Sequence, residues 1–151
     1  MYRKILLAVD GSLSSDRALI EASTLAKAMD SDVMVVFVAD DSDVMFDVGY
    51  FDPVELRQAI VRFGQDALAS AARRLSADGV RHATRLIEKP VAPGRIAATI
   101  VSEADAGNAD LIVLGTHGRR GIRRMVMGSV AEGVLRLSRK PVLLIRSEID
   151  E

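Results

Sequence analysis

The chain contains no cysteine. Disulfides, thiolate metal sites and a cysteine nucleophile are therefore excluded, and the composition fits a reducing compartment. Aromatic residues make up only 4% of the 151 residues, so a core has to be assembled from Val, Ile, Leu, Ala and Met. No apolar run approaches the ~18 residues of a membrane helix. The opening Met1-Tyr2-Arg3-Lys4 leads into an apolar segment that is too short for a signal-peptide core and is interrupted by Asp10. A net charge of −1 gives no global electrostatic pull toward nucleic acid. The expectation from these absences is a soluble cytoplasmic protein with no membrane segment.

What is present is a chain that is 49% apolar, which excludes general disorder. Its length suits one domain, 1–151, with a substantial core. Short apolar runs alternate with helical patterns. Ile5–Val9, Val33–Val38, Leu111–Leu114 and Val142–Ile145 read as continuously apolar strands, and Val80–Glu88 as a weaker, more polar strand nearer an edge. Helical spacing runs through Ser12–Met29, from Pro53 to Leu75, through Ala92–Ala106 and through Val130–Leu137. The stripe beginning at Pro53 places Leu56, Ile60, Phe63, Ala67, Leu68, Ala71 and Leu75 inward. Asp40–Asp52 has no period and reads as a loop. The order βαβαβαβαβ implies a mostly parallel sheet covered on both faces by right-handed crossovers.

In such sheets a ligand sits beyond the carboxyl ends of the strands, where the strand order reverses. Two strand ends carry suitable residues: Asp10-Gly11-Ser12 after the first strand and Gly115-Thr116-His117-Gly118 after the fourth. If those strands are neighbours, the motifs share one crevice. The second motif continues to Gly128-Ser129 at a helix start. Glycine lets backbone approach a ligand closely, and the free N–H groups and dipole of a helix start favour an anion such as phosphate. The bland alternative is a flexible connection with a glycine turn. No Gly-x-x-x-x-Gly-Lys-Ser/Thr occurs, so this is not a P-loop, and the spacing does not match a dinucleotide fingerprint. Asp10 could accept hydrogen bonds from ribose hydroxyls or an adenine amine; equally, Asp10 or Ser12 could cap the following helix.

Other residues carry weaker signals. Arg119, Arg120, Arg123 and Arg124 form a local positive patch, either a solvated loop face or donors folded over a triphosphate. Without interleaved aromatics to stack bases, nucleic acid is not the favoured partner. His117 reads first as a structural histidine and His82 as a surface one. Asp40, Asp41, Asp43 and Asp47 lack calcium-loop spacing and read as a solvated acidic loop.

The chain resembles the universal stress proteins over nearly its whole length. The resemblance rests on Ile5–Ser12, on Asp110–Gly118, on Gly128-Ser129-Val130-Ala131-Glu132 and on Pro141–Arg146. The ATP-binding branch carries glycine, two residues, glycine, nine residues, glycine, then serine or threonine; Gly115, Gly118, Gly128 and Ser129 meet it in full. The resemblance implies a Rossmann-like adenine-nucleotide-binding α/β fold, an open five-stranded parallel sheet of order 3-2-1-4-5 with helices on both faces. It further implies that Ala8, Val9 and Asp10 line the adenosine, with Asp10 toward the ribose, and that Val38 contacts adenine through backbone. Leu114, Gly115 and Gly118 would line the ribose and phosphate side, and Gly128, Ser129, Val130 and Ala131 would hold the phosphates; Arg119, on the donor chemistry of arginine and not on the resemblance, is the candidate to fold over them. Any Mg²⁺ is expected to arrive with ATP, held chiefly by phosphate oxygens and water.

A wholly apolar last strand at a sheet edge invites pairing. The resemblance implies that a second copy covers it, as an antiparallel homodimer through Val142, Leu143, Leu144 and Ile145. Three functions stay open: an ATP-dependent dimeric regulator of the stress response acting on an unknown protein partner; a slow ATPase or a nucleotide- or phosphoryl-transferring enzyme, with Asp10 and His117 as the residues to test; and a nucleotide-independent interaction module. ADP, AMP or a cyclic nucleotide would share the adenosine contacts.

Overall fold

Alternate residues of the inner strands face opposite layers, and both layers are apolar. The computed structural model describes residues 1–40, 52–92, 95–117 and 127–147. Its elements are β1 (Lys4–Ala8), α1 (Leu13–Met29), β2 (Asp32–Val38), α2 (Pro53–Ala77), β3 (His82–Ile87), α3 (Ile96–Ala106), β4 (Leu111–Gly115), α4 (Ser129–Leu137) and β5 (Val142–Ile145). The five strands form one parallel sheet in the order β3-β2-β1-β4-β5. One face buries Ile5, Leu7, Val35 and Val113 under α1 and α2; the other buries Leu6, Val36 and Ile112 under α3 and α4. This is the two-faced architecture that continuous apolar strands require, and the order is the expected one.

Helix α1 approaches the sheet closely because its fully buried positions are all small, with Leu19, Leu25 and Met29 packing partly buried at their flanks. Its buried positions are Ser14, Ser15, Ala18, Ala22, Ser23 and Ala26. Helix α2 starts at Pro53 in its first turn, with Asp52 capping the N–H of Val54 at 3.0 Å. Its inward face differs from the expected stripe. Ile60, Gly64, Leu68, Ala71 and Leu75 are buried, while Phe63 is 41% exposed. A Cβ on Gly64 would lie 2.5 Å from Phe37 Cδ1 and 2.8 Å from Leu86 Cδ1. Gly64 therefore takes the closest approach to the sheet, and Phe63 is turned to the flank.

Helix α3 begins at Ile96 rather than Ala92. Ala92 precedes a proline, which disfavours helical backbone there, and the hydroxyl of Thr99 instead binds the Val91 N–H at 2.9 Å and the Arg95 carbonyl at 2.8 Å. The polar strand β3 lies at one edge, as expected, but His82 is half-buried, with Nδ1 2.8 Å from the Val80 carbonyl. Asp40 is also buried rather than solvated; Asp41, Asp43 and Asp47 lie outside the described residues. Strand β5 forms the other edge, and all four of its residues are half-buried. No helix among the described residues is long and apolar enough to cross a membrane.

Asp110 fixes the start of the central pair. Its Oδ2 accepts the N–H groups of Lys4 and Arg3, each at 2.9 Å, and its own N–H donates to the Lys4 carbonyl at 2.7 Å. Those bonds, Lys4 foremost, hold the Asp110 carboxyl below the ordinary carboxylate range.

Two outcomes follow from this packing. Gly64→Ala should destabilise the fold by about 1–3 kcal/mol in urea unfolding, because overpacking against Phe37 outweighs the better helix propensity of alanine. The folded-state pKa of Asp110 is depressed, so its contribution is present above the unfolded value of about 4 and is lost as pH falls through the folded value. Asp110→Ala should therefore lower Tm at neutral pH, and the difference from the parent protein should shrink in thermal melts at decreasing pH below about 4.

Candidate functional site

Strand order reverses between β1 and β4. From β1 the chain winds outward to β2 and β3, then crosses back to place β4 on the other side of β1. Parallel pairing of Ile5 with Leu111 and of Leu7 with Val113 brings the carboxyl ends of these strands together. The strands are neighbours, and the described parts of the two sequence motifs meet at this end of the sheet, where Ser12 Oγ donates to the His117 carbonyl.

The β1–α1 turn forms one wall. Gly11 has φ +81°, a left-handed conformation that glycine adopts without strain. Asp10 Oδ1 accepts the Ser12 N–H at 2.8 Å, and the Asp10 N–H donates to Ser15 Oγ at 3.1 Å. Ser12 is the N-cap of α1, its Oγ accepting the Ser15 N–H at 3.2 Å. The capping reading of Ser12 holds, and Asp10 keeps its carboxylate, half-buried, at the strand end.

The end of β4 forms the floor, and α1 sits directly on it. A Cβ on Gly115 would lie 2.2 Å from Ser14 Oγ and 2.7 Å from the Ser14 backbone carbon. Ser14 Oγ donates to the His117 carbonyl at 2.6 Å, and Ser12 Oγ donates to the same oxygen at 3.2 Å. Thr116 Oγ1 is 3.0 Å from His117 Nδ1, while His117 Nε2 is buried without a partner among the described residues. The Thr116 N–H is held by the Ile145 carbonyl at 2.9 Å, which joins the floor to β5.

The far wall is the start of α4. The Gly128 N–H donates to the Thr116 carbonyl at 2.6 Å, closing the long connection onto the strand end where it began. Gly128 is the N-cap, with no side-chain cap bond, and its carbonyl accepts the Glu132 N–H at 3.0 Å. The N–H groups of Ser129, Val130 and Ala131 thus belong to the first turn, where a helix has no acceptor of its own for them. An anion placed there meets both those donors and the positive end of the helix.

Of the expected site residues, Ala8, Val9, Asp10, Leu114, Gly115, Gly128, Ser129, Val130 and Ala131 all lie on β1, β4, α4 or the turns at this end. Val38 ends β2 beside β1, with its side chain buried on the α3–α4 face. Gly118 and the four arginines, Arg119 among them, lie outside the described residues. The sequence reading missed the part played by Ser14 and Thr116, whose hydroxyl and carbonyl knit the walls together. Three small or polar residues in a run of four, Gly11, Ser12 and Ser14 around Leu13, were the available signal.

Among the described residues no group of three or more His, Asp or Glu is placed to hold a metal ion. Amides, hydroxyls and one carboxylate suit recognition of a polar anionic ligand.

A sheet wound outward both ways from its central strands, with a glycine-capped helix start at the reversal, defines a doubly wound α/β domain. The chain matches the universal stress protein family over residues 1–146 and belongs to it. A universal stress protein of Methanocaldococcus jannaschii is 34% identical over 151 residues, covering 97% of this chain and 83% of that one. The YxiE universal stress protein of Bacillus subtilis is 30% identical, covering 97% and 100%. A family member from Burkholderia pseudomallei has a similar structure, with TM-score 0.71, 34% identity and coverage of 95% and 96%. Two further solved relatives hold nucleotides. One is a universal stress protein in complex with cAMP, with TM-score 0.65, 28% identity and coverage of 97% and 98%. The other is from Archaeoglobus fulgidus in complex with dAMP, with TM-score 0.65, 26% identity and coverage of 95% and 98%.

The floor contact yields a direct test. Gly115→Ala should cost about 2 kcal/mol or more in urea unfolding, because the added methyl meets backbone as well as the Ser14 hydroxyl. Adding Ser14→Gly should not restore the loss.

Proposed function

We propose that the protein is an ATP-binding, homodimeric regulator of the stress response, acting in the cytoplasm on a protein partner that reads its nucleotide state. The observation that carries the reading is the Gly128–Thr116 bond. It sets the donor-rich start of α4 against the end of β4, beside the Asp10 carboxylate. Adenosine would lie over Ala8, Val9, Asp10, Leu114 and Gly115, with Asp10 accepting from the ribose and the Val38 backbone meeting adenine. The phosphates would run to Gly128, Ser129, Val130 and Ala131, joined by Gly118 and Arg119. Mg²⁺ would enter with the triphosphate, bound through its oxygens.

Relatives that hold cAMP and dAMP support an adenosine site in this fold. The preference for a triphosphate rests on the complete pattern of Gly115, Gly118, Gly128 and Ser129. The homodimer reading rests on β5. Among the described residues no strand pairs with its outer edge, and Val142, Leu143, Leu144 and Ile145 are apolar and half-buried.

Calorimetric titration of nucleotide-stripped protein should show saturable ATP binding. Gly128→Asp should weaken it at least about tenfold, since a carboxylate then faces the phosphates. Tight binding of AMP or cAMP with none of ATP would retain the adenosine site and refute the triphosphate. Absence of binding by all three at millimolar concentration would refute the reading as a whole.

A further inference from the structure

The β1–α1 turn is gripped from two directions. The two hydrogen bonds of Asp10, accepting the Ser12 N–H and donating to Ser15 Oγ, stay within the turn and α1, while Ser12 Oγ ties the turn to the His117 carbonyl. The second grip comes from α2. A Cβ built on Gly11 would lie 2.5 Å from Phe63 Cζ, 2.7 Å from Cε1 and 3.7 Å from Cε2. The tip of the Phe63 ring therefore rests directly on the Gly11 backbone. At its other side the ring packs against buried Phe37 of β2, with centroids 6.0 Å apart and planes tilted by 56°, a geometry favoured between aromatic rings.

Two features make this contact more than filler. A phenylalanine left 41% exposed contributes less to the core than a buried one. Gly11, at φ +81°, is also the residue in this turn with the most backbone freedom. A ring edge pressed on that glycine removes the rotation by which the turn could swing, and Asp10 is the next residue back.

We propose that Phe63 is a positioning residue for ribose recognition: it holds the Asp10 carboxylate in register by pinning Gly11 from α2. The proposal rests on the assignment of Asp10 to the ribose, and it adds a residue that lies on a separate helix. Phe63 touches no ligand in this account and acts through the turn. A tyrosine is not a conservative replacement, because its hydroxyl would sit on the Cζ that already meets Gly11.

The test compares ATP with 2′,3′-dideoxy-ATP, which lacks both ribose hydroxyls, by calorimetry on the parent protein, Phe63→Ala, Phe63→Leu, Asp10→Ala and the Phe63→Ala/Asp10→Ala double variant. The parent should favour ATP by about tenfold, the scale of a hydrogen bond to a charged group. Phe63→Ala should lose most of that preference, with dideoxy-ATP affinity changed by less than about twofold, and Phe63→Leu should fall between. In the double variant the preference should be no lower than in Asp10→Ala alone. A parent that discriminates through Asp10 while Phe63→Ala keeps the full ratio, or loses affinity for both nucleotides equally, would overturn the positioning role alone. A parent that binds both nucleotides equally would overturn the ribose assignment and this inference together. Thermal melts of each variant separate these outcomes from loss of fold, since a purely structural loss lowers Tm without altering the ratio.

Discussion

No side chain fits between Ser14 and Gly115, and the crevice depends on that exclusion. Helix α1 lies flat on the end of β4 because the strand residue there is glycine and the helix residues are small. At that distance the hydroxyls of Ser12 and Ser14 reach the His117 carbonyl, and the chain is held as it leaves the sheet. The Thr116 carbonyl is then free to receive Gly128, so the start of α4 is anchored by the same junction. A larger residue at either position would lift the helix and move three groups at once: the turn bearing Asp10, the strand end, and the donors of α4. Interiors are packed too tightly for such a shift to be absorbed locally.

Much of this was legible in the sequence, for identifiable reasons. Strands such as Val33–Val38 and Leu111–Leu114 are short, branched and unbroken by polar residues, a pattern that suits burial on both faces. The strand order was not in the periodicity; it came from resemblance, and the sheet has that order. Gly115 and Gly128 were visible as glycines at a strand end and a helix start. The bond that joins the two ends, from the Gly128 N–H to the Thr116 carbonyl, was not visible, because a backbone hydrogen bond leaves no trace in side-chain type.

The misreadings have physical causes as well. Phe63 fits the apolar stripe of α2 by spacing, yet the helix turns so that Gly64 meets Phe37, because a glycine permits a closer approach than a ring does. Helix α3 begins late because a residue ahead of proline resists the helical region. Asp40 looked like part of a solvated acidic run, but it follows β2 directly and is still within the packed end of the sheet. In each case tertiary packing or a neighbouring residue overrode a local pattern.

The strand order also bears on how the molecule is made. β1 pairs on one side with β2, close by in the chain, and on the other with β4, through contacts such as Ile5 with Leu111. On a ribosome β1, β2 and β3 emerge first, and the inner edge of β1 waits with its backbone groups unpaired until most of the chain has been synthesised. The crevice is completed later still, when Gly128 arrives. A ligand held there cannot assist the early half of folding. It can only favour the finished molecule, so binding at this crevice would stabilise completed chains and not nascent ones.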